Sequence, residues 1–235
     1  MKILGLDSTG NVCTAAISDN DKLIAEMTVN IGNTHSETLL PLVEQILKLS
    51  NTDIDEIELF ATSVGPGSFT GVRIGAATVK GLAFGKNLPL CEVSTLEALA
   101  ENLSAFEGII CPVINARRMQ VYNALFSCHN GVITRLCEDR AISVEELDSE
   151  LAKYDEPIYL SGDGYDICKA NFKLAKTMQT PKKLTLANGY SVCLCAKKMH
   201  EVGKTVTDRE LAPSYLRLSQ AERERNEKLN TGVKF

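Results

Sequence analysis

Glycines recur through one short stretch of this chain more densely than an ordinary strand or helix tolerates. Two follow a strand predicted over 58–64, and four more fall in the helix predicted after it. Each glycine inside a helix costs up to about 1 kcal/mol against alanine, so close packing is the better account of the pattern. Two stripes of small residues predict an interface with another helix or strand, inside the chain or between chains. The residues are Gly65 and Gly67 before the helix, Gly71 and Gly75 in one stripe, and Ala77, Gly81 and Gly85 in the other.

Hydrophobic periodicity predicts a mixed α/β chain of two similar lobes. Residues 1–104 form the predicted first lobe and 105–204 the second, and a segment over about 205–225 can pack back on the first. Pro41 must lie in the first turn of its helix or kink it. The predicted strands cover 3–6, 12–17, 23–29, 58–64, 88–93, 109–114, 121–126, 158–160 and 213–218. The predicted helices cover about 39–49, 70–85, 94–103, 143–152 and 186–202. A charged tail, predicted to be a solvated helix with a fraying end, begins at 219.

Composition excludes several classes of protein. A hydrophobic fraction of 44% and a mean hydropathy of -0.03 supply a core and exclude a mainly disordered chain. No apolar run is long enough to cross a membrane, and the first residues lack the apolar run of a leader peptide, so we expect a cytoplasmic protein. The 25 basic and 30 acidic residues give a net charge of -5 without a basic block, which argues against a chain that grips nucleic acid alone.

The eight cysteines form no CxxC pair. A chain of 235 residues without a secretion signal needs no disulfide staples. We therefore predict reduced thiols that are buried as small apolar side chains.

Two short loops could contact phosphate. Asp7, Ser8 and Thr9 end a predicted buried strand, where an acid can hold Mg²⁺ through water and the turn can point donors at an anion. An ordinary hairpin turn capped by Asp7 explains the same residues equally well. Gly162 and Gly164 follow another strand, and there a plain strand-to-helix turn is the stronger interpretation.

His35 stands just before the first predicted helix. A helical metal site needs a second histidine one turn later, but Leu39 occupies that position. The spacing therefore favours a capping or surface histidine over a metal ligand, and no GxSxG nucleophile elbow is present.

The stretch Ser63–Gly75 resembles the signature of the bacterial TsaB (YeaZ) family. Weaker matches follow the order expected for that family over nearly the whole chain: Leu6–Thr9, His35–Pro41, Leu160–Gly164 and Pro213–Arg217. The resemblance implies an actin/Hsp70/sugar-kinase-like (ASKHA) fold of two RNase H-like lobes with mixed sheets. It also implies a role in forming N6-threonylcarbamoyladenosine at position 37 of tRNAs that read codons starting with A.

The resemblance further implies that the chain is a scaffold without catalytic residues or metal. Its implied partners are TsaD, a catalytic paralogue that has a second histidine where this chain has Leu39, and the ATPase TsaE. Transfer RNA would be bound only through the complex, and a homodimer is expected when the paralogue is absent. Binding of ATP or ADP is a weaker expectation, with candidate residues Asp7, Ser8, Thr9, Gly162 and Gly164.

The implied pairing uses helices of the first lobe. We expect a replacement such as Gly75→Leu to overpack that interface. The alternatives are an ATP-dependent kinase or hydrolase of the same fold and, ranked last, a glycoprotease-type peptidase. The candidate interface residues are His35, Leu39, Leu42, Val43, Ile46, Thr70, Gly71, Ile74, Gly75 and Thr78.

Overall fold

Two mixed β-sheets, each packed against helices, make up residues 1–32 and 34–217, the part of the chain that this computed structural model describes. The predicted boundary near residue 104 falls between a helix that ends at Glu101 and a strand that begins at Gly108. No helix in the described part is long and apolar enough to cross a membrane. The predicted tail from 219 onward lies outside the described residues.

The first sheet has five strands in the order β3-β2-β1-β4-β5. The first three form an antiparallel meander, as predicted, while β4 runs parallel to β1 and β5 parallel to β4. The strands are β1 Lys2–Asp7, β2 Cys13–Asp19, β3 Lys22–Val29, β4 Leu59–Gly65 and β5 Leu90–Ser94.

Helices cover both faces of this sheet because its side chains alternate between the two faces. Leu4 and Leu6 point to the core under α1 (His35–Ser50) and α2 (Phe69–Ala83), whereas Ile3 belongs to the core on the other face. The helix α3 (Thr95–Glu101) lies between this second face and the other sheet. Ser94 caps α3, since its hydroxyl accepts a hydrogen bond from the Glu97 backbone N–H.

The second sheet is built around β6, which pairs with β7, β8 and, in parallel, β11. The strand predicted over 121–126 is interrupted at Ala124 and Leu125, and its two parts pair with different segments of β6. The elements are β6 Gly108–Asn115, β7 Gln120–Asn123, β8 Phe126–His129, β9 Val132–Arg135, β10 Arg140–Ser143, α4 Val144–Leu151, β11 Ile158–Ser161 and α5 Tyr165–Asn171.

The last helix, α6 (Gly189–Glu201), packs on the first sheet, although the sequence assigned it to the second lobe. Small residues permit this close approach: a Cβ on Gly5 would lie 2.7 Å from Sγ of Cys193 in α6. The helix starts three residues later than predicted because the Asn188 side chain caps it. The chain therefore crosses back to the first lobe at α6.

The segment after α6 follows the edge of the first sheet. Val206 and Leu90 exchange two backbone hydrogen bonds, and the Ser214 N–H donates to the carbonyl of Val64 at 2.8 Å. The strand predicted from Pro213 is wrong as far as Arg217, because these residues form no ladder with a strand. The end of that prediction lies outside the described residues.

Pro41 lies in the second turn of α1 rather than the first, and its ring is exposed. Seven of the eight cysteines are buried, all eight are free thiols, and Cys137 is partly exposed. Burial raises the pKa of Cys13 to about 12, which keeps that thiol protonated at neutral pH.

Candidate functional site

The turn after β1 places a buried carboxylate at the base of a cleft between the two sheets. Asp7 is 1% exposed, and its Oδ1 accepts hydrogen bonds from the backbone N–H and the hydroxyl of Thr9, both at 2.8 Å. Its Oδ2 has no partner among the described residues. Burial raises the pKa of Asp7, and the polar groups around it offset only part of that effect.

The glycine-rich loop before α2 packs against this turn. The Ser68 N–H donates to the carbonyl of Thr9 at 2.7 Å, and the Ser68 hydroxyl accepts from the Gly71 N–H. A Cβ on Gly67 would lie 2.5 Å from the Thr9 carbonyl oxygen. Glycine is therefore needed here for the close approach of the two loops.

His35 is the first residue of α1 and is partly exposed. Its Nε2 lies 2.8 Å from the carbonyl oxygen of Gly10. A carbonyl only accepts, so Nε2 carries the hydrogen and has no lone pair for a metal. Within residues 1–32 and 34–217, no three His, Cys, Asp or Glu side chains come together as a metal site.

The backbone N–H groups of the loop from β11 to α5 donate hydrogen bonds to backbone carbonyls of the second lobe. The Gly162 N–H donates to the Thr185 carbonyl at 2.9 Å, and the Gly164 N–H donates to the Val113 carbonyl at 3.0 Å. Gly162 has φ of +99°, so glycine is favoured there. The observed contacts match the strand-to-helix turn interpretation of this motif.

The cleft between the lobes has two openings, and the cavities at these openings have volumes of about 560 and 630 Å³. Both are lined by Thr9 and Asp163, and Gly162 lines only the second. Burial raises the pKa of Asp163, whose carboxylate accepts from the Asn115 N–H. Of the predicted nucleotide residues, Thr9 and Gly162 thus share a cleft, whereas Asp7 and Ser8 are buried beneath it.

Four of the predicted interface residues belong to the protein's own core. They are at most 5% exposed and pack against the first sheet, so they are not available to a partner. Together they form the apolar stripe of α1, which faces the adjacent sheet. The four are Leu39, Leu42, Val43 and Ile46.

The two small-residue stripes of α2 have different surroundings. Gly71 and Gly75 face the chain itself: added Cβ atoms would lie 1.9 Å from the Ser8 carbonyl oxygen and 2.7 Å from Oγ1 of Thr62. A Gly75→Leu change would therefore disrupt the fold rather than report on an interface. Gly81, in the other stripe, has no atom within 4 Å of its added Cβ.

The exposed sides of α1 and α2 carry apolar residues that are not among the candidate interface residues. Phe84 at the end of α2 is 79% exposed, and Leu49 and Leu40 of α1 are 67% and 46% exposed. Thr70 is exposed, and Ile74 and Thr78 are partly exposed. The signal available in the sequence was the presence of leucines off the core stripe of α1.

Two lobes with mixed sheets around a cleft define an actin/Hsp70/sugar-kinase-like fold. YeaZ from Pseudomonas aeruginosa has the same fold, with a TM-score of 0.77 and 24% identity over 92% of this chain and 99% of that one. The family model described as TsaD, tRNA N6-adenosine threonylcarbamoyltransferase, matches residues 26–225.

Two TsaB proteins of tRNA threonylcarbamoyladenosine biosynthesis align with the chain. The Bacillus subtilis protein is 33% identical over 69% of this chain and 71% of its own length. The Escherichia coli protein is 30% identical over 92% of this chain and 95% of its own length. The chain belongs to the TsaB (YeaZ) family of tRNA threonylcarbamoyladenosine biosynthesis proteins.

Proposed function

We propose that this chain is a non-catalytic scaffold for N6-threonylcarbamoyladenosine formation at position 37 of tRNAs that read codons starting with A. It acts in the cytoplasm by pairing with a TsaD-like catalytic paralogue, and a TsaE-like ATPase joins the complex. When the paralogue is absent, the same surface pairs two copies of this chain. The single observation that carries the proposal is the open face of α2.

This open face, which we define as Ala77 and Gly81 of α2 with Phe84 just after the helix, supports a helix-packing interface. Leu40 and Leu49 of α1 are nine positions apart and therefore lie on opposite sides of their helix. Small residues let a partner helix approach closely, while the exposed Phe84 at the end of the face buries area on contact. The two helices pack side by side within the chain, so a paralogue presenting the same pair would form a four-helix contact.

The surroundings of His35 support a role without metal chemistry. Its Nε2–H is committed to the Gly10 carbonyl, and Leu39 one turn later is buried in the core. The residues at this place therefore fit a structural contact rather than a two-histidine metal site.

Depletion of the protein tests the proposal. We expect the N6-threonylcarbamoyladenosine content of total tRNA, measured by mass spectrometry of nucleosides, to fall after depletion and to recover when the wild-type chain is expressed again. A depleted strain with an unchanged nucleoside content would contradict the proposal.

An ATP-dependent enzyme of the same fold is the second candidate. It is favoured by Thr9 and Gly162 lining one opening of the cleft, which Lys182 and Lys183 also line. The backbone N–H groups of Gly162 and Gly164 weigh against this enzyme, because they already donate to carbonyls of the chain and not to a phosphate. Calorimetry with ATP·Mg²⁺ on the isolated chain decides: tight binding with turnover favours the enzyme, and the scaffold requires neither.

A further inference from the structure

Three consecutive residues of the β6–β7 turn have left-handed backbone conformations. Arg117, Arg118 and Met119 have φ values of 63°, 52° and 55°. For residues with a side chain this conformation costs about 1 to 2 kcal/mol each, and backbone strain of this kind concentrates at functional sites.

Hydrogen bonds on several sides hold the strained turn. The Ala116 N–H donates to the Gln120 carbonyl at 2.9 Å, and the Met119 carbonyl accepts from the Val144 N–H at 3.0 Å. The Arg217 guanidinium, from the segment after α6, donates to the Ala116 carbonyl at 3.3 Å. The turn is thus a fixed platform that presents two exposed arginines.

Arg117 of the turn and Arg217 line the first opening of the cleft. Arg73 of α2 lies beside two other lining residues: its guanidinium stacks on the Phe69 ring at 4.1 Å, and its Nε donates to the Tyr215 hydroxyl at 2.8 Å. Within the described residues, Arg73, Arg118 and Arg217 have no carboxylate within 4.0 Å. No acid among residues 1–32 and 34–217 therefore neutralises their charges.

Aromatic rings accompany these charges. Phe69, Tyr122 and Tyr215 line the opening, Tyr215 is 43% exposed, and the Arg217 guanidinium lies 5.7 Å from the Tyr122 ring centre. Asp163 is the one carboxylate among the described lining residues. Because Phe69 and Tyr215 stack on each other with ring centres 4.4 Å apart, the exposed side of Tyr215 is the ring surface offered to an unstacked base. Guanidinium groups for phosphates beside such a ring are the combination that single-stranded RNA requires.

We propose that this surface, the arginine rim of Arg73, Arg117, Arg118 and Arg217, binds an unpaired segment of the tRNA within the complex. The inference rests on the proposed function and adds a direct RNA contact to it. RNA is favoured over an acidic peptide because rings and guanidiniums line one opening together. The net charge of -5 is compatible with a local basic patch, since only the complex needs to hold the whole tRNA.

The test compares two charge-matched double variants in the complex with the TsaD-like paralogue. Arg117→Gln with Arg118→Gln removes two rim charges, and Lys153→Gln with Lys176→Gln removes two exposed charges of the second lobe. Binding of an unmodified transcript of a tRNA that reads a codon starting with A is measured by fluorescence anisotropy from about 50 to about 300 mM salt.

We expect the rim variant to bind about tenfold more weakly, with the slope of log affinity against log salt reduced by about 1 to 2, and the lysine variant to bind like wild type. Equal binding by the two double variants would overturn the inference. So would loss of pairing with the paralogue in the rim variant, since that would place the rim in a protein interface. Failure of the scaffold proposal shows separately, as unchanged nucleoside content after depletion.

Discussion

At the scale of single residues, Asp7 is a buried acid whose Oδ2 has no partner within the described residues. The sequence left open whether this residue holds Mg²⁺ through water or caps a turn. The structure shows the capping contact, through the Thr9 N–H and hydroxyl. An unpaired buried oxygen of a charged group costs stability, so this side chain destabilises the fold when it is ionised.

We predict that Asp7→Asn raises the free energy of unfolding at pH 7.5 by about 1 to 3 kcal/mol. Burial raises the folded-state pKa above its ordinary value of 3.8, so the native state binds the proton more tightly than the unfolded chain. The wild type therefore loses stability as the pH rises from 3.8 to the raised pKa, and the asparagine variant does not.

Urea unfolding at pH 4, near the lower end of that range, and at pH 7.5 measures the effect, with Asp166→Asn, a change at an exposed acid, as the control. The gain of the Asp7 variant should be larger at pH 7.5 than at pH 4. A gain of the same size at both pH values would show that ionisation of Asp7 is not its cause.

At the scale of elements, α2 provides a matched pair of glycines in one helix. Gly71→Ala places a Cβ 1.9 Å from the Ser8 carbonyl oxygen and must shift the backbone, which we expect to destabilise the chain by about 1 to 3 kcal/mol. Gly81→Ala meets open space and should stabilise it by about 0.5 to 1 kcal/mol. Urea unfolding of the isolated chain gives both changes in the free energy of unfolding. If both variants were stabilised, or both destabilised, this account of the two stripes would be wrong.

Most elements were predictable because their hydrophobic period and caps are local. The three-strand meander and the helix opened by Ser143 and Glu146, whose reciprocal capping box is present, follow from a few neighbouring residues. The segment over 213–217 was wrongly predicted as a strand, since a strand exists only where another strand pairs with it. The residue pattern of one segment does not show whether another β-strand is available to pair with it.

The candidate site was only partly predictable for the same physical reason. An apolar stripe such as that of Leu39 and Ile46 shows that a helix buries one face, but not which surface covers it. Gly71 and Gly81 have the same residue type, and only the tertiary fold shows that one is enclosed and the other open. The arginine rim joins Arg73 to Arg217 through folding and has no local signal.

At the scale of the whole molecule, the chain leaves the first lobe at β6 and returns to it through α6. The segment after α6 then connects the lobes again: Ser214 bonds to Val64 of the first sheet, and Arg217 contacts Gln120 of the second. The open face of α2 is formed by the first lobe alone. Arg73 lies one turn before Ala77 in α2 and so borders this face, whereas Arg117, Arg118 and Arg217 of the arginine rim lie outside α2.

The most direct test of the scaffold account is pairing of this chain with the TsaD-like paralogue, measured by isothermal titration calorimetry. Leucine at Gly81 meets no atom of the chain within 4 Å of its Cβ, so Gly81→Leu should fold normally and obstruct only a partner. Ala170→Leu, on an exposed position of α5, is the matched control. The account predicts that wild type and Ala170→Leu pair while Gly81→Leu does not, and a folded Gly81→Leu chain that pairs like wild type would contradict it.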